Sequence, residues 1–372
     1  MTEQETIYTI ALTQLNRLSL MNAHVLYESM GSATNIFTNS GRIRDFIPDA
    51  SDLLVNTLKN TDEVLKRAET EFEYTAKKNI RCICYNDSEY PALLRQCPDA
   101  PLVIYFFGNG TLNRKRIISI VGTRKCTDYG KDIIRNLVSD LSKSVPDILI
   151  VSGLAYGVDV HAHIEALNNN IDTVGVLAHG LDTIYPPRHR NIAAKMSQHG
   201  GLLTEYISGS ELHRANFVRR NRIVAGMSHA TVVVESATKG GAMITAGLAG
   251  DYDREVFAFP GRVYDQYSQG CNKLICNNQA HLVQSASDIL RILGWEEETP
   301  QTKPEPTLFP ELTAEESAIV DCLSKSDTMQ INKISIETNI PFHQVSALLF
   351  ELELKGLVAV LGGARYRLLK NS

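Results

Sequence analysis

The chain has 372 residues and a formal net charge of −5, with 44% hydrophobic and 21% charged residues. This is the composition of a soluble globular protein long enough for two or three domains, and its mild acidity confines any nucleic-acid site to a local basic groove. No apolar run approaches the ~20 residues that a membrane span requires, and no secretory leader is evident, so the chain is expected to be cytoplasmic and free of membrane.

Residues 1–75 read as a small helical domain of the SAM or helix-hairpin-helix type. Ile7 to Leu18 and Asn22 to Met30 carry helical spacing, and shorter helices are expected at Ile43 to Phe46 and Ala50 to Lys59. The glycines that would offer backbone N–H groups to a phosphate are missing between Leu18 and Asn22, which favours a docking or structural role over DNA binding. Leu102 to Gly108 reads as a strand added at the edge of the sheet that follows.

From Arg116 to about Leu293 strand and helix alternate, which predicts a Rossmann-like parallel α/β sheet within a domain of residues 80–295. Strands are expected at Ile117 to Val121, Ile148 to Val151, Thr173 to Ala178, Leu202 to Glu205, Ala230 to Glu235 and Val256 to Phe259. The organising stretch is Ile148 to Leu167: a β-branched run, the small-residue turn Ser152-Gly153-Leu154-Ala155-Tyr156-Gly157, then a helix. Such a helix start holds unpartnered N–H groups and favours an anion. The other notable loops also follow strands: Gly122-Thr123-Arg124, His179 to Arg188, Lys239-Gly240-Gly241 and Pro260-Gly261. Ligands of open α/β sheets gather at the carboxyl ends of the strands. Arg188 opens one helix there. Arg214, Asn216, Phe217, Arg219, Arg220, Asn221 and Arg222 crowd the opening of another. Guanidinium forks suit phosphates, and Phe217 and Tyr185 offer stacking faces for unpaired bases. The opposing expectation pairs these arginines with Glu205, Glu211 or Glu235. Arg219 and Arg220 stand ~100° apart on a helix, so at least one is expected to face away from the groove.

Sharper chemistries fail on geometry. His161 and His163 are ~200° apart on a helix and cannot share a metal, while Asp159 and His163 share a face as a pair expected to fix the turn. Ser152 lacks the G-x-S-x-G elbow, and the chain has neither a P-loop nor an H-E-x-x-H motif. Cys82-x-Cys84 is too tight for a zinc knuckle, and the seven cysteines read as reduced thiols. No catalytic residues, no metal and no cofactor are expected.

Several motifs occur in order. They are Gly122-Thr123-Arg124 with Asp128-Tyr129-Gly130, Ser152 to Asp159, Gly180-Leu181-Asp182 with Tyr185-Pro186, Phe217 to Gly226, and Thr245-Ala246 with Pro260-Gly261. Together they resemble the DNA-processing protein A (DprA/Smf) family from Tyr90 to about His281. The resemblance implies an extended Rossmann-like domain that binds single-stranded DNA, forms a homodimer and loads a RecA-type recombinase during natural transformation. Its DNA pocket maps onto Arg124, Arg188, Arg214, Phe217, Arg220 and Arg222. Together with Gly122, Ser152, Gly153, Gly157, Asn216, Asn221, Gly240 and Gly241 these make up the expected DNA-binding set. Departures from the family pattern are Val218 for a proline, His179 for a glycine, and Asn277-Asn278-Gln279 for a glycine-containing turn.

Residues 296–310 are rich in proline and charge and read as a linker. Residues 311–372 follow as a winged-helix domain. Helices are expected at Thr313 to Leu323, Ile331 to Thr338 and Pro341 to Lys355, with a two-stranded wing turning at Gly362-Gly363. The third helix bears acids and no arginine, which favours a protein contact, or a weak phosphate contact through Arg365 and Arg367, over reading duplex bases. The alternative from another class is a nucleotide-binding phosphoribohydrolase of related fold. Its signature glutamate is absent where this chain reads Lys239 to Ala246.

Overall fold

The computed structural model describes residues 2–16, 18–296, 312–326, 328–361 and 363–369. They divide into two compact units, residues 1–296 and 297–372. The expected linker lies, but for Glu296, outside the described residues, as does Gly362 of the wing turn.

Nine strands of the larger unit form one sheet: β1 (Arg81–Cys84), β2 (Val103–Phe107), β3 (Arg116–Val121), β4 (Ile148–Ser152), β5 (Thr173–Val176), β6 (Gly200–Thr204), β7 (Ala230–Val233), β8 (Glu255–Ala258) and β9 (His281–Leu282). Their order is β1-β2-β6-β5-β4-β3-β7-β8-β9. The six expected parallel strands appear within a few residues of their predicted bounds. β2 is a correction. It is not the edge, because β1 lies outside it, antiparallel, in register from Arg81 opposite Phe106 to Cys84 opposite Val103. β2 also runs antiparallel to β6, so the sheet is mixed at this end and parallel from β6 to β9.

Helices α1 (Glu3–Gln14), α2 (Leu20–Met30) and α3 (Asp62–Lys77) precede the sheet, while α4 (Asp128–Ser144), α5 (Val158–Asn168), α6 (Arg214–Gly226) and α7 (Gly241–Asp251) pack over its faces. Side chains of a strand alternate between faces, and β4 shows what that does. Leu149 and Val151 enter one core layer with Ile117, Val174 and Ile223. Ile148 and Ile150 enter the other with Ile118, Ile134 and Val138. Both faces are covered, which is why the strand reads as an unbroken apolar run.

The N-terminal helices share a core with the sheet. Ile10, Leu12, Leu26 and Tyr27 pack in one cluster with Leu102, Val103, Tyr105 and Ile207. Within that layer the buried Glu5 carboxylate accepts from the Ala33 and Thr34 N–H groups at 2.8 and 2.9 Å, closing the start of the short helix Ala33–Thr38. Glu71 of α3 accepts from Ser208 N–H at 2.9 Å and fastens the layer to the loop after β6.

The smaller unit holds α8 (Ala314–Ser324), α9 (Ile331–Thr338) and α10 (Phe342–Leu354) with a three-stranded sheet. The wing strands β11 (Val358–Leu361) and β12 (Arg365–Leu368) pair as expected, and β10 (Met329–Gln330) joins the other side of β12. Ile319, Ile334, Val345, Leu349, Leu352 and Val358 fill its core.

Candidate nucleic-acid interface

The chain runs outward from β3 through β4 and β5 to β6, then returns to lay β7 on the opposite side of β3. That reversal parts the loops at the carboxyl ends of β3, β4 and β7, and a crevice opens between them. Its volume is about 780 Å3, and its walls include Gly122, Arg124, Gly153, Tyr185, Arg214, Phe217 and the Lys239-Gly240-Gly241 turn.

The glycines admit close approaches that a side chain would block. A Cβ on Gly122 would come within 2.4 Å of Val158, and one on Gly153 within 2.2 Å of the Arg220 guanidinium. Gly157 has φ +77°, with a Cβ position 2.2 Å from Thr123 O, so this position calls for glycine twice over.

The glycine turn and first turn of α5 were expected to hold a phosphate; the glycine turn before the helix holds the protein's own carboxylate instead. Gly153 and Ala155 N–H groups donate to Asp159 Oδ2 at 3.2 and 3.4 Å. Burial raises the Asp159 pKa, while Arg220 and the two backbone donors oppose the rise. The expected Asp159–His163 pair is replaced by this arrangement, and His163 Nδ1 sits 2.7 Å from Thr173 Oγ1. The start of α4 is closed in the same way. Thr127 donates its N–H to Glu235 Oε2 at 2.8 Å and its hydroxyl to Oε1 at 2.6 Å. No side-chain hydrogen bond caps α5, α6 or α7, but at α5 the Val158 and Val160 N–H groups donate to Thr123 O and Ala155 O at 3.1 and 3.2 Å. The start of α7, at Gly240-Gly241 beside Lys239, opens on the crevice. Capacity for an anion therefore resides at α7, not α5.

An aromatic pair forms the lip. The rings of Tyr185 and Phe217 meet edge to face at 5.6 Å, and the Arg124 guanidinium lies 5.6 Å from the Phe217 centroid. Arg124 and Arg214 are exposed, and so is Lys239. Lys239 lines the crevice although the expected set omitted it; its position directly before the glycine pair was the available signal.

The remaining expected residues separate by burial. Arg220 is 4% exposed. Its Nη1 donates to Gly153 O at 2.6 Å and also to Val176 O, binding α6 to the ends of β4 and β5. Asn221 lines the crevice and accepts from Arg220 Nε at 3.3 Å. Arg222 is a correction: it is buried away from the crevice and paired with Glu205 and, at 4.0 Å, Asp99. Arg219 is exposed and faces a smaller cleft beside Tyr206. Ser152 is buried and donates to Ile120 O at 2.6 Å, so it is part of the sheet and not a contact residue. Asn216 donates to Glu211 O at 3.2 Å. Arg188 is exposed on the turn held by His189, whose Nδ1 is 2.9 Å from Leu154 O, and stands on the same rim outside the crevice walls.

The sequence profile of the DNA recombination-mediator protein A family matches residues 81–294, more than half of the chain. The chain belongs to that family. A DprA winged helix domain matches residues 301–364. Among relatives, the Protein Smf of Synechocystis is 34% identical over 331 residues, covering 78% of this chain and 81% of that protein. A putative DNA processing protein DprA of Mycobacterium tuberculosis is also 34% identical, over 82% and 81% of the two chains. The X-ray structure of DNA processing protein A from Streptococcus pneumoniae superposes with a TM-score of 0.67 at 28% identity, covering 77% of this chain and 97% of that one. That from Helicobacter pylori, described for its single-stranded DNA binding mode, gives 0.52 at 28% identity over 58% and 96%. This family member is thus a DNA-processing protein with a mostly parallel Rossmann-like sheet and a winged-helix domain.

Proposed function

We propose that the crevice binds single-stranded DNA and that the protein acts as a non-enzymatic mediator, delivering the strand to a RecA-type recombinase as a homodimer in the cytoplasm. The observation that carries this reading is the uncapped start of α7 facing an arginine-lined lip with two aromatic rings. Backbone N–H groups and guanidinium groups meet phosphates, while Tyr185 and Phe217 stack bases without choosing among them. The acids of the rim support a binding role over a catalytic one, since Asp159 and Glu235 are both spent on closing turns. The Helicobacter pylori relative's single-strand binding supports the same ligand.

Fluorescence anisotropy with a labelled oligothymidine and its duplex tests the reading. Preference for the single strand is expected, with log K falling against log salt at a slope of about −2 to −3 if three or four phosphates are engaged. Equal affinity for duplex overturns it. Recombinase loading is read from strand exchange on single strands coated with a single-strand binding protein, and dimer formation from sedimentation of the full chain.

A further inference from the structure

The winged-helix unit carries a surface that its fold does not use. Helix α10 buries Val345, Leu349 and Leu352, spaced for one face of a helix, in the unit's own core. Its other face exposes Phe342, Phe350 and Leu354 at 52%, 62% and 73%. These residues fall within about 120° of helix surface and run along about 18 Å, three turns with exposed Ser346 completing the i, i+4 row. Glu351 and Glu353, both exposed, flank the row on opposite sides, and α10 contains neither lysine nor arginine. Of the nearby cations, Lys355 is held by the buried Glu316 at 2.6 Å, while Arg365 and Arg367 stand on strand β12.

A row of large apolar side chains between carboxylates repels a phosphate backbone and offers no arginine or lysine to base edges. An apolar row at i, i+4 spacing receives the ridge of another helix, and flanking acids select basic flanks on it. We propose that the outer face of α10 is a docking site for a partner protein's amphipathic helix, whose apolar ridge is bordered by lysine or arginine. A second copy of the same face would set glutamates against glutamates and is disfavoured.

The test uses the full chain and two synthetic probes. One is a labelled helical peptide of about sixteen residues built from leucine and lysine on an i, i+3, i+4, i+7 pattern; the other is its leucine–glutamate counterpart. The wild type is expected to bind the lysine peptide and not the glutamate peptide. The double variant F350A/L354A should weaken binding at least tenfold, and E351K/E353K several-fold. All four positions are exposed, so melting curves should be unchanged, as should single-strand affinity. Equal peptide binding by wild type and F350A/L354A overturns the proposal, as does equal binding of both peptides. Loss of self-association in F350A/L354A would assign the face to a second copy, and loss of duplex binding would assign it to DNA; either result also overturns it.

Discussion

The three arginines of the Arg220-Asn221-Arg222 neighbourhood perform different tasks, decided by where α6 points them. Arg219 is outward, Arg220 reaches inward to two carbonyls, and Arg222 is sealed against Glu205. Arg220→Ala leaves the Gly153 and Val176 carbonyls without that donor and removes a positive charge near Asp159, so it should cost roughly 2–3 kcal/mol of stability as well as affinity. Arg214→Ala should weaken single-strand binding with an unchanged melting temperature. Paired thermal melts and anisotropy titrations separate the two effects; equal melts for both variants would refute the division. Phe217→Ala removes a stacking face worth ~1–3 kcal/mol and should weaken all single-stranded sequences alike. Spacing along the chain marks these residues as a cluster. It cannot divide them, because one residue along a helix turns a side chain by ~100° and only packing fixes the phase.

At the scale of elements, the helix starts on the rim differ in how they are closed. Thr127 at the start of α4 is held by Glu235, and the Val158 and Val160 N–H groups of α5 are taken by the Thr123 and Ala155 carbonyls, whereas α7 begins at Gly240-Gly241 with no side-chain cap. A carboxylate introduced at α7 should therefore compete with a DNA phosphate. Gly241 has open space where a Cβ would go. Gly241→Glu is expected to stabilise the helix by about 0.3–1 kcal/mol and to reduce single-strand affinity at least tenfold, while Gly241→Ala leaves affinity near wild type. Anisotropy on the two variants checks this, and equal loss in both would point to steric exclusion. The strand–turn–helix pattern at Ile148 to Leu167 was legible from residue types. That its anion is Asp159 was not, since the acid lies on the helix and its reach back to Gly153 depends on the turn. β1 is not legible in the sequence because Arg81-Cys82-Ile83-Cys84 has little apolar pattern of its own and becomes a strand by pairing with β2. The long helix α3 falls within the residues read as helical, but its charged face masks the core-facing Ala68 and Thr75, so its bounds are not legible in the sequence.

For the molecule as a whole, two expectations follow from how the chain is partitioned and buried. Residues 1–296 form one compact unit that contains the crevice, so a chain ending at Glu296 should retain single-strand affinity within about twofold. A larger loss in anisotropy would mean that the winged-helix unit contributes to the site. The second concerns acid. His163 is fully buried, and its pKa is held down to about 3 by burial first and by Arg220 and His189 next. Once unfolded, the ring titrates near 6.5. Below that pH the unfolded chain takes up a proton that the native state refuses, so this site's contribution to stability declines by up to about 1.4 kcal/mol per pH unit until about pH 3. Melting temperatures at about pH 7.5 and about pH 5 should fall less for His163→Gln than for wild type; parallel falls would show that another group governs the acid limb.

Taken alone, the amino-acid order determined the alternating strands and helices, the family, and the rim on which arginines and glycines gather. Those follow from local spacing and residue type, which need no knowledge of distant neighbours. The tertiary structure alone decided which arginine faces solvent, which helix start remains open, and that the N-terminal helices share a core with β2. Each depends on what a side chain meets across tens or hundreds of residues, as when Arg220 meets Val176 or Ile10 shares a cluster with Tyr105.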